Sequence, residues 1–188
     1  MPVDFSSFDF LMVPGRENAS ADHWQSHWLG AFPNSSRLLQ DDWSRPRLDA
    51  WTGRLGTAIA AAPRRVVLVG HSVGVATIIR WAAASPDRAR SKVAAAFLAA
   101  PTNVDDPDAS FDLVRNFGPM PLERLPFPAL VVASRDDPRV RFPQAEAFAT
   151  AWGADFADVG ELGHIGSAAK LGIWPHGLLL LGGLLGRI

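Results

Sequence analysis

The chain has no cysteine among its 188 residues, which excludes disulfides and thiolate-bound metal. The same absence suits a reducing cytosol, and a cytoplasmic protein is the expectation. An excess of charge of either sign is also missing. Lys and Arg number 18 against 19 Asp and Glu, a formal net charge of −1. Nothing in that balance draws the chain to nucleic acid or to an anionic membrane surface. The first residues include Asp4 and Asp9 and no leading Lys or Arg, which is not the pattern of a secretory signal. A long apolar run is lacking too. Residues 178–185 are almost wholly apolar, but extending them to the ~20 residues of a membrane span takes in His176, Pro175 and Lys170. That segment reads as a helix packed on the rest of the chain, and no membrane partner is expected.

What is present is ordinary globular material, 48% hydrophobic and 20% charged. The length supports one domain with a real core and would cramp two, so residues 1–188 read as a single domain. Short apolar runs alternate with helical stretches. The strands are read at Phe10–Val13, Arg37–Gln40, Val66–Val69, Val93–Ala99, Ala129–Ala133 and Asp155–Val159. Helices are read at Asp22–Leu29, Leu48–Ala61, Val75–Ala84, Ala145–Trp152 and Trp174–Leu185. The stretch from Pro101 to Pro128, rich in Pro and Asp, reads as irregular, with one short helix near Asp112–Phe117. Such alternation implies βαβ units. The expected fold class is α/β, a doubly wound, mostly parallel sheet of about six strands with helices on both faces.

The sharpest chemical signal is Gly70-His71-Ser72-Val73-Gly74, between the strand ending at Val69 and the helix opening at Val75. In a G-x-S-x-G nucleophile elbow the glycines let strand and helix backbones pass closely, and the serine between them projects from the sheet edge. Ser72 is the candidate nucleophile. The N–H of Val73, at a helix N-terminus, is a candidate oxyanion donor. A serine needs a base, and α/β-hydrolases place the acid and then the histidine after it in the chain. His23 and His27 precede Ser72, His71 adjoins it, and His176 lies in the last helix. His164, just after the last strand, is the candidate base. After the strand Ala129–Ala133 come Asp136 and Asp137, either of which could be the acid. The loop after the first strand, Pro14-Gly15-Arg16-Glu17, should supply a second oxyanion donor: the N–H of Arg16, with Glu17 next.

Two other readings fall away. His23 and His27 have the i, i+4 spacing of a zinc helix, but Trp24 stands where the glutamate of H-E-x-x-H belongs, so no metal is expected. Trp24 and Trp28 share that spacing and read as a face packed on the sheet. No G-x-G-x-x-G follows the first strand, so no dinucleotide is expected, and no other cofactor is implied.

Taken together these segments resemble the small serine hydrolases related to retinoblastoma-binding protein 9 and the bacterial YdeN-type proteins. The likeness runs through Val13-Pro14-Gly15, His23-Trp24-Gln25-Ser26-His27-Trp28, Gln40-Asp41-Asp42-Trp43, the Ser72 elbow, Ser134-Arg135-Asp136-Asp137-Pro138 and Gly163-His164-Ile165. It implies a compact α/β-hydrolase core with no cap domain. It also implies a triad of Ser72, Asp137 and His164, because the family aspartate directly precedes the proline. The expected activity is hydrolysis of a small ester, thioester or amide through an acyl-enzyme, with preference for short acyl groups because so short a chain leaves little room for a lid. The competing reading is a non-catalytic binding protein on the same scaffold.

Overall fold

The computed structural model describes residues 4–188. Six strands form one sheet: β1 (Asp9–Val13), β2 (Ser35–Arg37), β3 (Val66–His71), β4 (Val93–Ala99), β5 (Ala129–Ala133) and β6 (Asp155–Asp158). Their order is β2-β1-β3-β4-β5-β6, and every neighbouring pair is parallel. The chain runs outward from β1 to β2, then crosses back through α2 (Leu48–Ala61) to β3 and continues the other way. A doubly wound sheet opens a crevice at the carboxyl ends of its strands where the order reverses, here between β1 and β3.

Strand alternation divides the core in two. Phe10 and Met12 of β1 belong to one layer, Leu11 and Val13 to the other. The strands β3, β4 and β5 are buried along their whole length, as their runs of Val, Ala and Leu require of central parallel strands. α2, α3 (Val73–Ala84) and α5 (Phe142–Trp152) cover the Leu11 face. α1 (Trp24–Ala31) and α6 (Pro175–Leu185) cover the Phe10 face. There Trp24 and Trp28 pack at 4.7 Å between ring centres, and Trp28 lies 5.4 Å from Phe97. The indole N–H of Trp28 donates to the Ile173 carbonyl at 2.7 Å, which ties α1 to the segment entering α6. Among the described residues no helix is long and apolar enough to cross a membrane.

Three elements depart from the sequence reading. β2 pairs at Ser35–Arg37 rather than over 37–40. Its serines carry no apolar signal, whereas Leu38 and Leu39, one buried and one 65% exposed, mimic strand alternation just past the ladder. α4 (Pro86–Lys92) is an additional helix. Ser85-Pro86 reads as the stop of α3, but a proline is equally at home in the first turn of a new helix. The expected helix over 112–117 is instead two single 3-10 turns, Ala109–Phe111 and Arg115–Phe117. Asp106 and Asp108 side chains accept from the backbone N–H groups of Asp108 and Ser110, and such local bonds compete with helix.

Trp28 is fully buried, at the centre of the α1 face. Trp28→Ala should lower unfolding free energy by about 3–5 kcal/mol in urea titration. Leu179→Ala, at a side chain 75% exposed on the outer side of α6, should change it by less than about 0.5 kcal/mol. Equal losses from the two would contradict this description of the core.

Candidate active site

The turn from β3 into α3 is sharp because Ser72 occupies φ 58°, ψ −129°, a backbone region costly for any residue with a Cβ. Its surroundings hold it there. The Ser72 N–H donates to the Ala99 carbonyl of β4 at 3.1 Å. A Cβ at Gly74 would overlap the Val13 carbonyl oxygen, and one at Gly15 would lie 2.6 Å from Ser72 Cβ. The two glycines thus let the end of β1, the elbow and the start of α3 converge. The serine Oγ is left at the carboxyl edge of the sheet, beside the reversal of strand order.

His164 arrives from the loop after β6. Its Nδ1 lies 2.8 and 2.9 Å from the two carboxylate oxygens of Asp137, and its Nε2 lies 2.8 Å from Ser72 Oγ. A carboxylate only accepts, so Nδ1 carries the proton and Nε2 is free to accept from the serine hydroxyl. The Asp137 side chain is fully buried and also accepts the N–H of Arg139 at 2.8 Å. The structure therefore brings Ser72, His164 and Asp137 into one hydrogen-bonded line.

Asp136 does not face the imidazole. Among the described residues it pairs with neither of the nearby arginines, Arg135 and Arg139. Arg135 pairs with Asp158. Asp136 accepts from Ser134 Oγ at 2.7 Å and from the N–H of Gly163 at 2.8 Å, and both bonds hold its carboxyl below the usual range. It is thus a tether on the residue next to His164. Ser134 Oγ accepts the Leu162 N–H at 2.8 Å, and the Trp24 indole donates to the Ile165 carbonyl at 2.8 Å. These ties hold a loop that bends through left-handed backbone at Gly163 (φ 55°) and Ile165 (φ 49°).

The loop after β1 commits the N–H of Glu17 to the Trp43 carbonyl at 3.0 Å. Among the described residues the N–H of Arg16 donates to no protein acceptor. The N–H of Val73 heads α3, where the helix itself offers no partner. Both residues line the same small cavity as Ser72 and His164, with a volume of about 130 Å³. Larger clefts, of about 620 and 660 Å³, lie against α2 and beside α3, and neither includes Ser72.

Thr102 escaped the sequence reading. Its Oγ1 is 3.1 Å from Ser72 Oγ and it is buried. With the serine proton directed at His164, Thr102 is the donor of this pair. The available signal was position: Thr102 lies just past the carboxyl end of β4, the strand next to the elbow. His23 and His27 do not share a helix face. His23 caps α1, accepting the Gln25 N–H at 3.1 Å on its Nδ1, and His27 is exposed.

A family model described as serine hydrolase matches residues 10–183. The chain is similar to a crystal structure described as a YdeN-like hydrolase from Pectobacterium atrosepticum, at 30% identity, with 97% of this chain and 92% of that one covered and a TM-score of 0.84. The ydeN gene product of B. subtilis superposes with a TM-score of 0.77 at 17% identity, covering 95% of this chain and 99% of that one. Est1E from Butyrivibrio proteoclasticus, seen with ferulic acid bound, shares the fold at a TM-score of 0.66 and 13% identity, with 96% and 87% covered. No curated protein matches the chain in sequence.

Two further imidazoles lie behind His164. His71 packs 4.7 Å from the His23 ring and 5.1 Å from the His164 ring, and its Nε2–H donates to the His164 carbonyl at 2.8 Å. Burial, then the neighbouring imidazoles, push His71 well below the ordinary histidine range. Burial, then the nearby Arg37 and His164, push His23 down to about 4. Both are therefore neutral in the folded protein at neutral pH. In the unfolded chain His23 regains its ordinary value, near 6.5. As pH falls from 6.5 toward 4 the unfolded state alone takes up this proton, and stability is lost. For His23 the loss should reach on the order of 3 kcal/mol near pH 4. Urea titrations from pH 7.5 to 4.5 should show that decline, and His23→Gln should flatten it; an identical slope in the variant would refute the assignment.

Proposed function

The chain belongs to the serine hydrolase family, and from that premise we propose that it cleaves small esters, thioesters or amides with Ser72 as nucleophile, His164 as general base and Asp137 as the acid orienting the histidine. The observation that carries this reading is the continuous line from Asp137 through His164 Nδ1 and Nε2 to Ser72 Oγ, every link at 2.8–2.9 Å. Ser72 Oγ attacks the substrate carbonyl carbon as its proton passes to His164 Nε2. The carbonyl π pair moves onto oxygen, and the N–H groups of Val73 and Arg16 receive that charge. Collapse restores the carbonyl and breaks the bond to the leaving group, which takes the proton from Nε2. Water then attacks the acyl-Ser72 ester, gives its proton to Nε2, and the carbonyl reforms as the Ser72 oxygen leaves with that proton. Asp137 keeps the imidazole in the tautomer this sequence needs and stabilises the imidazolium.

The chain works as one domain over residues 1–188, in a reducing cytosol, with a small-molecule substrate. A cavity of about 130 Å³ is well below the ~300–1,000 Å³ of drug-sized sites, which favours short acyl groups. Thr102, donating to Ser72 Oγ, steadies the oxygen as it gives up its proton in the attack.

A fluorophosphonate probe should label the protein at Ser72. Ser72→Ala should abolish labelling and lower turnover of a short p-nitrophenyl ester by several orders of magnitude. A wild-type protein that resists the probe and leaves the ester intact would instead be a binding protein on this scaffold.

The two aspartates separate cleanly by substitution. Asp137→Asn should lower kcat by roughly 10²–10⁴, because an amide favours the wrong histidine tautomer. Asp136→Asn should cost less than about tenfold, because an amide oxygen still accepts from Gly163 and Ser134. Reversed magnitudes in steady-state assays would make Asp136 the acid.

A further inference from the structure

The cavity beside Ser72 has a charge of its own. Its lining includes two arginines, Arg16 and Arg139, and no acidic residue. The rest that faces the substrate is Thr102, Ser110, Phe111, Leu113 and Val114. Arg16 is already paired: its Nη1 lies 2.9 Å from the carboxylate of Glu17. Arg139 differs. It is half-buried, and among the described residues it makes no ion pair. Its guanidinium lies 5.5 Å from the ring centre of Phe111 and makes only a long bond, 3.4 Å, to the Ser110 carbonyl. An aromatic face, one weak acceptor and the Asp108 carboxylate, close enough to feel its charge but not bonded to it, leave most of its five N–H donors unused.

The position of Arg139 is well fixed. Its backbone N–H donates to Asp137 Oδ1, and its carbonyl accepts the N–H of Asn103 at 3.0 Å, next to Thr102. The backbone of Arg139 is thus anchored between the proposed acid and the residue after Thr102. His164 hands its proton to the leaving group, so the leaving group departs on the histidine side. The acyl part, which stays bonded to Ser72, would then occupy the cavity lined by Thr102, Phe111 and Arg139.

We propose that Arg139 selects substrates whose short acyl group ends in a carboxylate, a half-ester or half-thioester of a dicarboxylic acid. This rests on the reading of Ser72 as nucleophile. Arg presents a planar fork that matches a carboxylate at two points, and such charge-assisted bonds are stronger than neutral ones. The small cavity limits the acid to a few carbons between its two carbonyl groups.

The test compares monoethyl succinate with ethyl butyrate, acyl groups of similar length that differ in charge, by following acid release in a pH-stat. Wild-type kcat/KM should favour monoethyl succinate by about tenfold or more, and added salt should erode that preference. In Arg139→Met the ratio of the two kcat/KM values should fall by about tenfold or more, and Arg139→Lys should keep part of it, as a point charge without the fork. Hydrolysis of ethyl butyrate with no preference for the succinate, or a preference that Arg139→Met leaves intact, would overturn the role of Arg139 and leave the hydrolase reading standing. Failure on both esters together with no fluorophosphonate labelling would bring down that reading itself.

Discussion

The backbone reversal at Ser72 is the constraint on which the site is built. A serine at φ 58° is held in an unfavourable conformation, and it persists because three strands and a helix meet around it. The Ala99 carbonyl of β4 takes its N–H, and Gly15 and Gly74 remove the two side-chain atoms that would block β1 from approaching. Buried Val, Leu and Ala runs in β3 and β4 supply the packing that offsets the strain. The same reversal aims Oγ out of the sheet and turns the Val73 N–H toward the same space. The proposed nucleophile and one proposed oxyanion donor therefore follow from a single turn.

The partner imidazole is placed by a different device. His164 lies on a loop without regular structure, and that loop is held by hydrogen bonds to its backbone. Asp136 takes Gly163 N–H, Ser134 takes Leu162 N–H, His71 reaches the His164 carbonyl, and Trp24 reaches the Ile165 carbonyl. Asp137 then orients the ring. Asp136 lies in the turn after β5 and Asp137 just beyond it, and the change of direction there lets the two carboxylates serve the loop backbone and the ring separately. The tryptophans of α1 have a double part: their rings fill the layer against Phe97 and Trp174, and their indole N–H groups tie down the segments before α6. A buried polar tie is effective here because the low-dielectric surroundings make an unpaired N–H or carbonyl costly.

Charge near the cavity follows a similar economy. Arg135, Arg16 and Arg115 are each paired to a nearby carboxylate, whereas Arg139 rests on an aromatic ring beside the cavity. A cation stacked on a ring keeps its in-plane donors available, which is the property a recognition group needs. Glu17 shows the opposite arrangement: its N–H is committed to Trp43 and its carboxylate to Arg16, which makes Arg16 the proposed oxyanion donor of this loop.

Much of this was legible in the chain before any coordinates. Central parallel strands are buried on both faces, so β4 and β5 announce themselves as unbroken apolar runs, and their ends were read to the residue. The elbow is local too, because a strand, a tight turn and a helix in direct succession leave a pattern of five residues. Chain order then singled out His164. The edge strand β2 was misplaced because Ser35 and Ser36 pair through backbone alone and carry no hydrophobic signal. α4 was missed because a proline marks a helix start and a helix stop equally well. What only the tertiary structure decided were relations between distant segments: Thr102 against Ser72, Asp136 against Gly163, Trp43 against Glu17, His71 beneath His164. Periodicity reports which way a side chain faces and a motif reports what a turn can do. A hydrogen bond between loops is set by how the whole sheet twists and stacks, and no stretch of neighbouring residues encodes it.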